Sequence, residues 1–269
     1  MRLPNLLIAF VSLAILLPGD GHATDLAELY TSKAVTTGTG EKNRKLGFRD
    51  CLDRVLVRVS GDPRLPARPG VEALRARGGA FVASFTYRDR LAGRPIHDEQ
   101  GTYDRPHDLT CHYAPKVLDR LLADLGSHPW LGERPVLAVF LDVARNGKQL
   151  RVVADDMRDM AMRDSFTHGS EQLAIKVTFP MRALASKLSA AELTSPDRLA
   201  DAAKAAGGDL PLSGAIVWSD ADLGWVATWH LAHDGRTYDW TVRGVNFDEA
   251  FRAALRGSMQ ILSGNGAPE

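Results

Sequence analysis

The sequence predicts an α+β fold made of two small modules, each mixing helices and strands. Helix-like and strand-like segments alternate on both sides of a break at residues 127–134, and three strand-like stretches then lead into a last helix. This arrangement is typical of α+β proteins. We therefore expect an N-terminal module at 24–127 and a C-terminal module at 128–269, the second with an antiparallel strand meander and a C-terminal helix.

The clearest element is a helix within residues 41–63, EKNRKLGFRDCLDRVLVRVSGDP. Gly61 favours a left-handed stop, and Pro63 cannot continue a helix because it has no amide hydrogen. Apolar residues recur at three- and four-residue spacing, as on the buried face of a helix, at Phe48, Cys51, Leu52, Val55, Leu56 and Val59. Cys51 is thus predicted to be buried.

The other elements of the N-terminal module follow from alternation and from helix-breaking residues. We predict strands at 26–37, 80–88 and 108–113, and helices at 71–77 and 115–125. Residues 91–107 are rich in Gly, Pro, Asp and His, so they are predicted to form a loop or a long hairpin tip.

The C-terminal module opens with a near-continuous apolar run at 135–143, which is typical of a strand buried on both faces. Asn146-Gly147 predicts a tight turn to a second strand at 149–154. We predict further helices at 156–165, 195–206 and 247–262, and strands at 173–179, 212–218, 224–233 and 237–244.

The first 23 residues are predicted to be a signal peptide. Arg2 precedes an apolar run at 6–17, which a Pro-Gly pair and small residues follow. The run is shorter than the roughly 20 residues that a membrane-spanning helix needs. We expect cleavage after Ala23, a periplasmic location, and no integral membrane segment after cleavage.

Charge and cysteine content narrow the possible partners. The chain has 33 lysine plus arginine and 33 aspartate plus glutamate residues, so no net field attracts nucleic acid. Cys51 and Cys111 are the only two cysteines, and in an oxidising compartment such a pair is more often bridged than free. We expect a Cys51–Cys111 disulfide, and the alternative is two reduced thiols buried in the core.

Two groups of polar residues are candidates for chemistry. One is a loop-rich group with metal-ligating side chains, His97, Asp98, Glu99, His107, Asp108 and His112. It lacks the fixed ligand spacing of known zinc motifs, so incidental histidines are the simpler interpretation. The other group, Asp155, Asp156 and Asp159, is better explained by the helix dipole than by acid–base catalysis. We assign no catalytic, metal-binding or cofactor-binding residue and expect no cofactor.

Tryptophans concentrate in the predicted meander. Trp225 and Trp229 share strand parity with Ala227 and Leu231, so one sheet face carries the bulk and is expected to lie under the last helix. The alternative is an exposed aromatic platform of Trp225, Trp229 and Trp240 that binds glycan or peptide.

Three motifs carry a resemblance to a known family: RDCLDRVLVRVSGDPRL at 49–65, HPWLGERPVLAVFLDV at 128–143, and GWVATWHLAHDGRTYDWTVRG at 224–244. Together they resemble the bacterial exported family called domain of unknown function 2066. In layout the second half is also similar to the TolB N-terminal and CsgG-type envelope assembly modules, and the first helix to the N-terminal domain of a flagellar assembly protein. The Trp130-Gly132 pair carries an extra residue relative to the family pattern.

These observations give one expected function and two alternatives. We expect a noncatalytic cell-envelope interaction or assembly factor, whose partner is an envelope protein or cell-wall component. The alternatives are a metal-dependent hydrolase that uses the loop at 97–112, and a glycan- or peptide-binding protein that uses the tryptophan-rich sheet.

Overall fold

The computed structural model describes residues 26–93 and 105–268. The predicted signal peptide therefore lies outside the described residues. The strands are β1 (Thr31–Thr37), β2 (Val82–Asp89), β3 (Pro106–Tyr113), β4 (Leu137–Arg145), β5 (Lys148–Arg151), β6 (Val177–Thr178), β7 (Leu210–Ser219), β8 (Gly224–His233) and β9 (Arg236–Val245). The helices are α1 (Leu26–Leu29), α2 (Glu41–Ser60), α3 (Val71–Arg75), α4 (Pro115–Asp124), α5 (Met160–Gln172), α6 (Arg182–Ala185), α7 (Ala190–Leu193), α8 (Ala200–Ala205) and α9 (Phe247–Leu262).

The N-terminal sheet is antiparallel, in the order β1-β3-β2, and α2 packs on one face of it. Strict alternation along β3 buries Leu109, Cys111 and Tyr113 against that helix. The helix contributes the residues that its apolar spacing predicts, including Leu52, which is fully buried. The predicted amphipathic helix and its buried face are confirmed.

The second sheet has the order β5-β4-β7-β8-β9, and the short β6 pairs with the start of β4. Strands β4 and β7 are parallel, whereas β7, β8 and β9 form the predicted antiparallel meander. Strand β4 is buried along most of its length, as its apolar run predicts. Strands and helices are thus interspersed around two sheets, which confirms the α+β class.

The two faces of this second sheet are covered differently. Helices α5 and α9 cover one face and form the larger core with the side chains of Phe166, Trp229 and Phe251. On the opposite face, α7, the 3-10 turn Pro196–Leu199 and α8 cover the first halves of β4 and β7, around Ala138, Phe140 and Ser213. Farther along that face, Val217 and Thr241 are exposed.

The sequence misplaces or misses five elements. Residues 26–29 are helical instead of extended, and only Val177–Thr178 of the strand predicted at 173–179 pairs with another strand. A short 3-10 turn, Met157–Asp159, precedes α5. Helices α6 and α7 are missed because four residues are too few for periodicity to appear; a capping box between Ser189 and Glu192 begins α7.

The predicted disulfide is not present. Cys51 and Cys111 are buried but free, and their sulfur atoms are not at bonding distance. Cys51 sits on a helix and Cys111 on the sheet beneath it. The Cys51 thiol points at backbone carbonyls, with its Sγ 3.8 Å from the oxygen of Ser32 and 3.9 Å from that of Leu109. The alternative interpretation, two reduced core thiols, describes the structure.

The end of α2 joins the two halves of the chain. The Val59 carbonyl accepts a 2.7 Å hydrogen bond from the backbone of Trp130. The Ser60 carbonyl accepts from the side-chain amide of Asn265, and the Gly61 carbonyl accepts from the hydroxyl of Ser263. The turn that stops α2 is therefore also where the residues after α9 dock. Among the described residues, no helix is long and apolar enough to cross a membrane.

Gly61 is expected to tolerate no side chain. Its φ is +75°, and an added Cβ would lie 2.4 Å from the Cβ of Ser263. We expect Gly61→Ala to lower the free energy of unfolding by about 2–4 kcal/mol, because overpacking adds to the cost of a left-handed alanine. Gly126→Ala is the matched control, since its φ is +67° with open space around it, and it should cost only about 1–2 kcal/mol. Urea unfolding of both variants measures the difference, and equal losses would contradict the packing argument.

Candidate functional site

A groove of about 610 Å³ opens on the partly covered face of the second sheet. Its floor is formed by the later residues of the parallel strands β4 and β7, which run past the edge of α7. One wall is β5, and the other is the segment around α6. The carboxyl ends of parallel strands are a common place for ligand sites. The groove is therefore the candidate functional site.

The hairpin from β4 to β5 builds the first wall. Asn146 and Gly147 take positive φ values of 52° and 70°, as a tight turn requires, and the register then sets Asp142 opposite Arg151. The two side chains form a bidentate pair with N–O distances of 2.7 and 2.9 Å. Arg151 also donates to the carbonyls of Ala185 and Leu188, so this arginine fixes the opposite wall.

Asp156 organises the second cluster of charge in the groove. It caps the 3-10 turn by accepting from the backbone N–H of Arg158, and its carboxylate also binds the guanidinium groups of Arg158 and Arg182. Hydrogen bonds from Arg158 and Arg182 hold the pKa of Asp156 well below its ordinary range. Asp156 is therefore ionised at neutral pH and serves as a fixed acceptor.

The other two carboxylates of this stretch have structural partners as well. Asp155 accepts from the backbone N–H of Arg182, and Asp159, which is buried, accepts from the backbone N–H of Val153. Arg163 donates to the carbonyls of Val153 and Asp156. Backbone and arginine contacts, and not the helix dipole alone, therefore hold these acids.

Three methionines with exposed side chains are sequence neighbours of residues that line the groove. Met157 is 75% exposed, Met160 45% and Met181 54%. They adjoin Arg158, Asp159 and Arg182, and the two arginines bind the same carboxylate of Asp156. We call Met157, Met160 and Met181 the methionine rim. Apolar side chains concentrated in this way at a groove are typical of an interaction surface.

The histidine-rich group does not come together as one site. His97, Asp98 and Glu99 lie outside the described residues. His112 lies five positions after His107 on β3. Because this spacing is odd, the two side chains point to opposite faces of the sheet. His107 bonds the carbonyl of Arg105, and His112 bonds the hydroxyl of Thr31. Within 26–93 and 105–268 there is no group of three or more side chains able to hold a metal ion.

The tryptophan platform is wrong as a binding surface. Trp225, Trp229 and Trp240 are 7%, 0% and 4% exposed, since their shared face of the sheet lies under α9. Trp240 donates its indole N–H to the carbonyl of Ala253 on that helix. The interpretation of these residues as a covered core is confirmed. Glycan or peptide binding through them would require exposure that they lack.

No sequence pattern points to the groove as a whole. Arg151, Arg158 and Arg182 come from three separate segments, and only the fold brings them to one place. The single local signal is Asp156 two residues before Arg158, a spacing that lets an aspartate cap its own turn. The methionine rim leaves no periodic pattern because its members belong to three separate elements: a 3-10 turn, the first residue of α5 and the N-cap of α6.

Comparison with known protein families matches residues 23–131 to a family described as Domain of unknown function (DUF8605). The match spans less than half of the chain and covers the first sheet, α2 and α4. No curated protein and no solved structure matches the chain.

The resemblance to domain of unknown function 2066 is therefore wrong, because the matching family is a different one, and no similarity to TolB or CsgG is found. The motifs that suggested it have local structural roles: Gly61 stops a helix, and the run at 135–143 is a buried strand. Such patterns recur in unrelated families.

The Asp156 cluster makes a pH-dependent contribution to stability. Because the folded-state pKa is depressed, the contribution is complete above the unfolded value of about 3.9 and is lost as pH falls toward the folded value. We expect Asp156→Asn to be less stable than wild type at pH 7, with a difference that shrinks below about pH 4. Urea unfolding across a pH series tests this. The exposed Asp50→Asn is the control, and a deficit for Asp156→Asn that does not change with pH would contradict the assignment.

Proposed function

We propose that this protein is an exported, noncatalytic interaction or assembly factor of the cell envelope, and that its groove receives an apolar segment of a partner protein. The observation that carries the proposal is the methionine rim beside the groove. Charged side chains of the groove already form ion pairs with each other. The proposal combines the expected periplasmic location with an interaction surface formed by the groove and the methionine rim.

The chemistry of the rim favours a protein segment as the occupant. Methionine side chains are unbranched and polarisable, so they adapt to apolar partners of varied shape. Leu150 on the adjoining strand β5 is 40% exposed and extends the apolar area. Glycan recognition would instead favour exposed aromatic rings, and the three tryptophans proposed for that role are buried.

The ion pairs inside the groove favour a role in binding a partner over a role in catalysis. Asp142 is paired with Arg151, and Asp156 with Arg158 and Arg182. A carboxylate held ionised by two arginines is a poor general acid or base, because catalysis is best served by a pKa near the working pH. The same pairs fix the groove walls before a partner arrives, which lowers the entropy cost of binding.

Site-specific photocrosslinking in the native host tests the proposal. A benzophenone amino acid replaces Met157 or Met181, and the controls place it at Val35 and Val117, which are exposed on β1 and α4. We expect both rim positions to give the same discrete adduct with a protein from the periplasmic fraction, and the controls to give none. The mature chain in that fraction should begin at Thr24.

A second variant tests whether the crosslinked protein binds the methionine rim or is only close to it. Met160→Lys places a charge on the rim at an exposed position, so folding should be unchanged, as circular dichroism would verify. We expect this variant to remove the adduct formed at Met157, while Val117→Lys leaves it intact. Equal adducts at rim and control positions, or an adduct insensitive to Met160→Lys, would contradict the proposal.

A further inference from the structure

Strand β9 forms one edge of the second sheet. It is ten residues long, and its inner side pairs with β8. Among the described residues no strand pairs with its outer side, since β9 ends the strand order. Alternate backbone N–H and C=O groups of an edge strand point outward and form a template for another strand.

The outer residues of β9 carry charges in a symmetric arrangement. Asp239, Thr241 and Arg243 of β9 have exposed side chains. They lie on the open face of the sheet, away from α9, where Thr241 is paired with Thr228 of β8. The aspartate and the arginine are each two residues from Thr241, one on either side. An antiparallel pairing of two such strands about Thr241 would therefore set each Asp239 opposite Arg243 of the second copy.

This register sets complementary side chains opposite each other at three alternate positions of β9. Opposite charges face each other twice, and Thr241 faces Thr241 of the second copy, which extends the contact of 3.3 Å between the hydroxyls of Thr228 and Thr241. Opposite-charge and threonine pairs each stabilise neighbouring strands. Asp239 now contacts His230 and Arg243 contacts Asp222, yet both side chains are 63% exposed, so each retains room for a second partner.

The opposite face of β9 borders a cavity. A cavity of about 190 Å³ lies between β9 and α9, lined by Trp240, Val242 and Gly257 among others. In the proposed register, Val242 of the second copy lies opposite Trp240, beside this cavity. Gly244, with φ of +68°, and the register shift next to it bound the pairing at one end.

We propose that β9 is a self-association edge: a second copy of this chain pairs with it antiparallel, centred on Thr241, and joins the two second sheets into one. The occupant is a second copy because the side-chain pattern is complementary to itself in this single register. The inference is independent of the groove and of the partner proposed for it.

A charge-reversal experiment tests the register. Sedimentation equilibrium of the wild type across a concentration series should show a monomer–dimer equilibrium. Asp239→Arg should abolish the dimer because it sets arginine against Arg243, and Arg243→Asp should abolish it because it sets aspartate against Asp239. An equimolar mixture of the two variants should recover the dimer, since each pair then again has opposite charges.

A crosslinking variant provides a second measurement that depends less on surface charge. Thr241→Cys places a thiol at the symmetry point, and mild oxidation should link two copies. Thr237→Cys is the control, because the two control thiols would be about 27 Å apart along the paired strands. Cys51 and Cys111 are buried, so the wild type supplies the background.

The proposal is overturned if the wild type stays monomeric at every concentration. It is also overturned if either charge variant dimerises like the wild type, or if the mixture does not recover the dimer. Equal crosslinking of Thr241→Cys and Thr237→Cys would exclude the register.

Discussion

The structure depends on a buried arginine at the end of α2. Arg58 donates to the carbonyls of Glu171 and Gln172, which are the last two residues of α5. Arg134 lies beside it, donates to the carbonyls of Leu173 and Arg58, and stacks 4.2 Å from the ring of Trp130. Burial and the neighbouring Arg58 charge lower the pKa of Arg134 to about 10, so Arg134 remains charged at neutral pH. Arg58 is paired with the carboxylate of Glu28 at 3.2 Å, and the negative end of the α5 dipole faces both arginines.

This arrangement determines which surfaces stay open. Arg58 belongs to the helix that covers the first sheet, and its carbonyl partners belong to the helix that packs with α9 over the second. The bound carbonyls fix α5 on that face. Asp62, which is fully buried, supports the same turn: burial alone would raise its pKa, but hydrogen bonds and charge from Arg64 and Arg68 outweigh burial and lower it. In the described part of the chain, the short helices α6 to α8 and the 3-10 turn Pro196–Leu199 lie on the opposite face of the second sheet, and the groove opens where they leave that face uncovered.

Elements with strong periodicity could be predicted from the sequence, and elements that depend on tertiary contact could not. The pattern of α2 placed its buried face and its stop at Gly61, and α9 spans the range that its amphipathic spacing predicts. The parallel pairing of β4 with β7 was not predicted, because about 65 residues separate the strands and no local pattern encodes their pairing. The disulfide was expected from compartment and cysteine number, but both thiols are free and the Cys51 thiol instead contacts backbone carbonyls. From the sequence alone, the arginines of the groove and of the junction cannot be told from ordinary surface charges. Many of their carbonyl and carboxylate partners come from distant parts of the chain.

The central claim is that the junction at the end of α2 makes the two cores unfold as one unit. The chain offers a direct measurement, because both cysteines lie in the first core and all five tryptophans lie at or beyond residue 130. Thiol reactivity reports on the first core and tryptophan fluorescence on the second during urea unfolding. The junction predicts coincident transitions in the wild type, and separate transitions after Arg58→Met, which keeps the bulk but removes the bonds to α5. Two separate transitions in the wild type would contradict the claim.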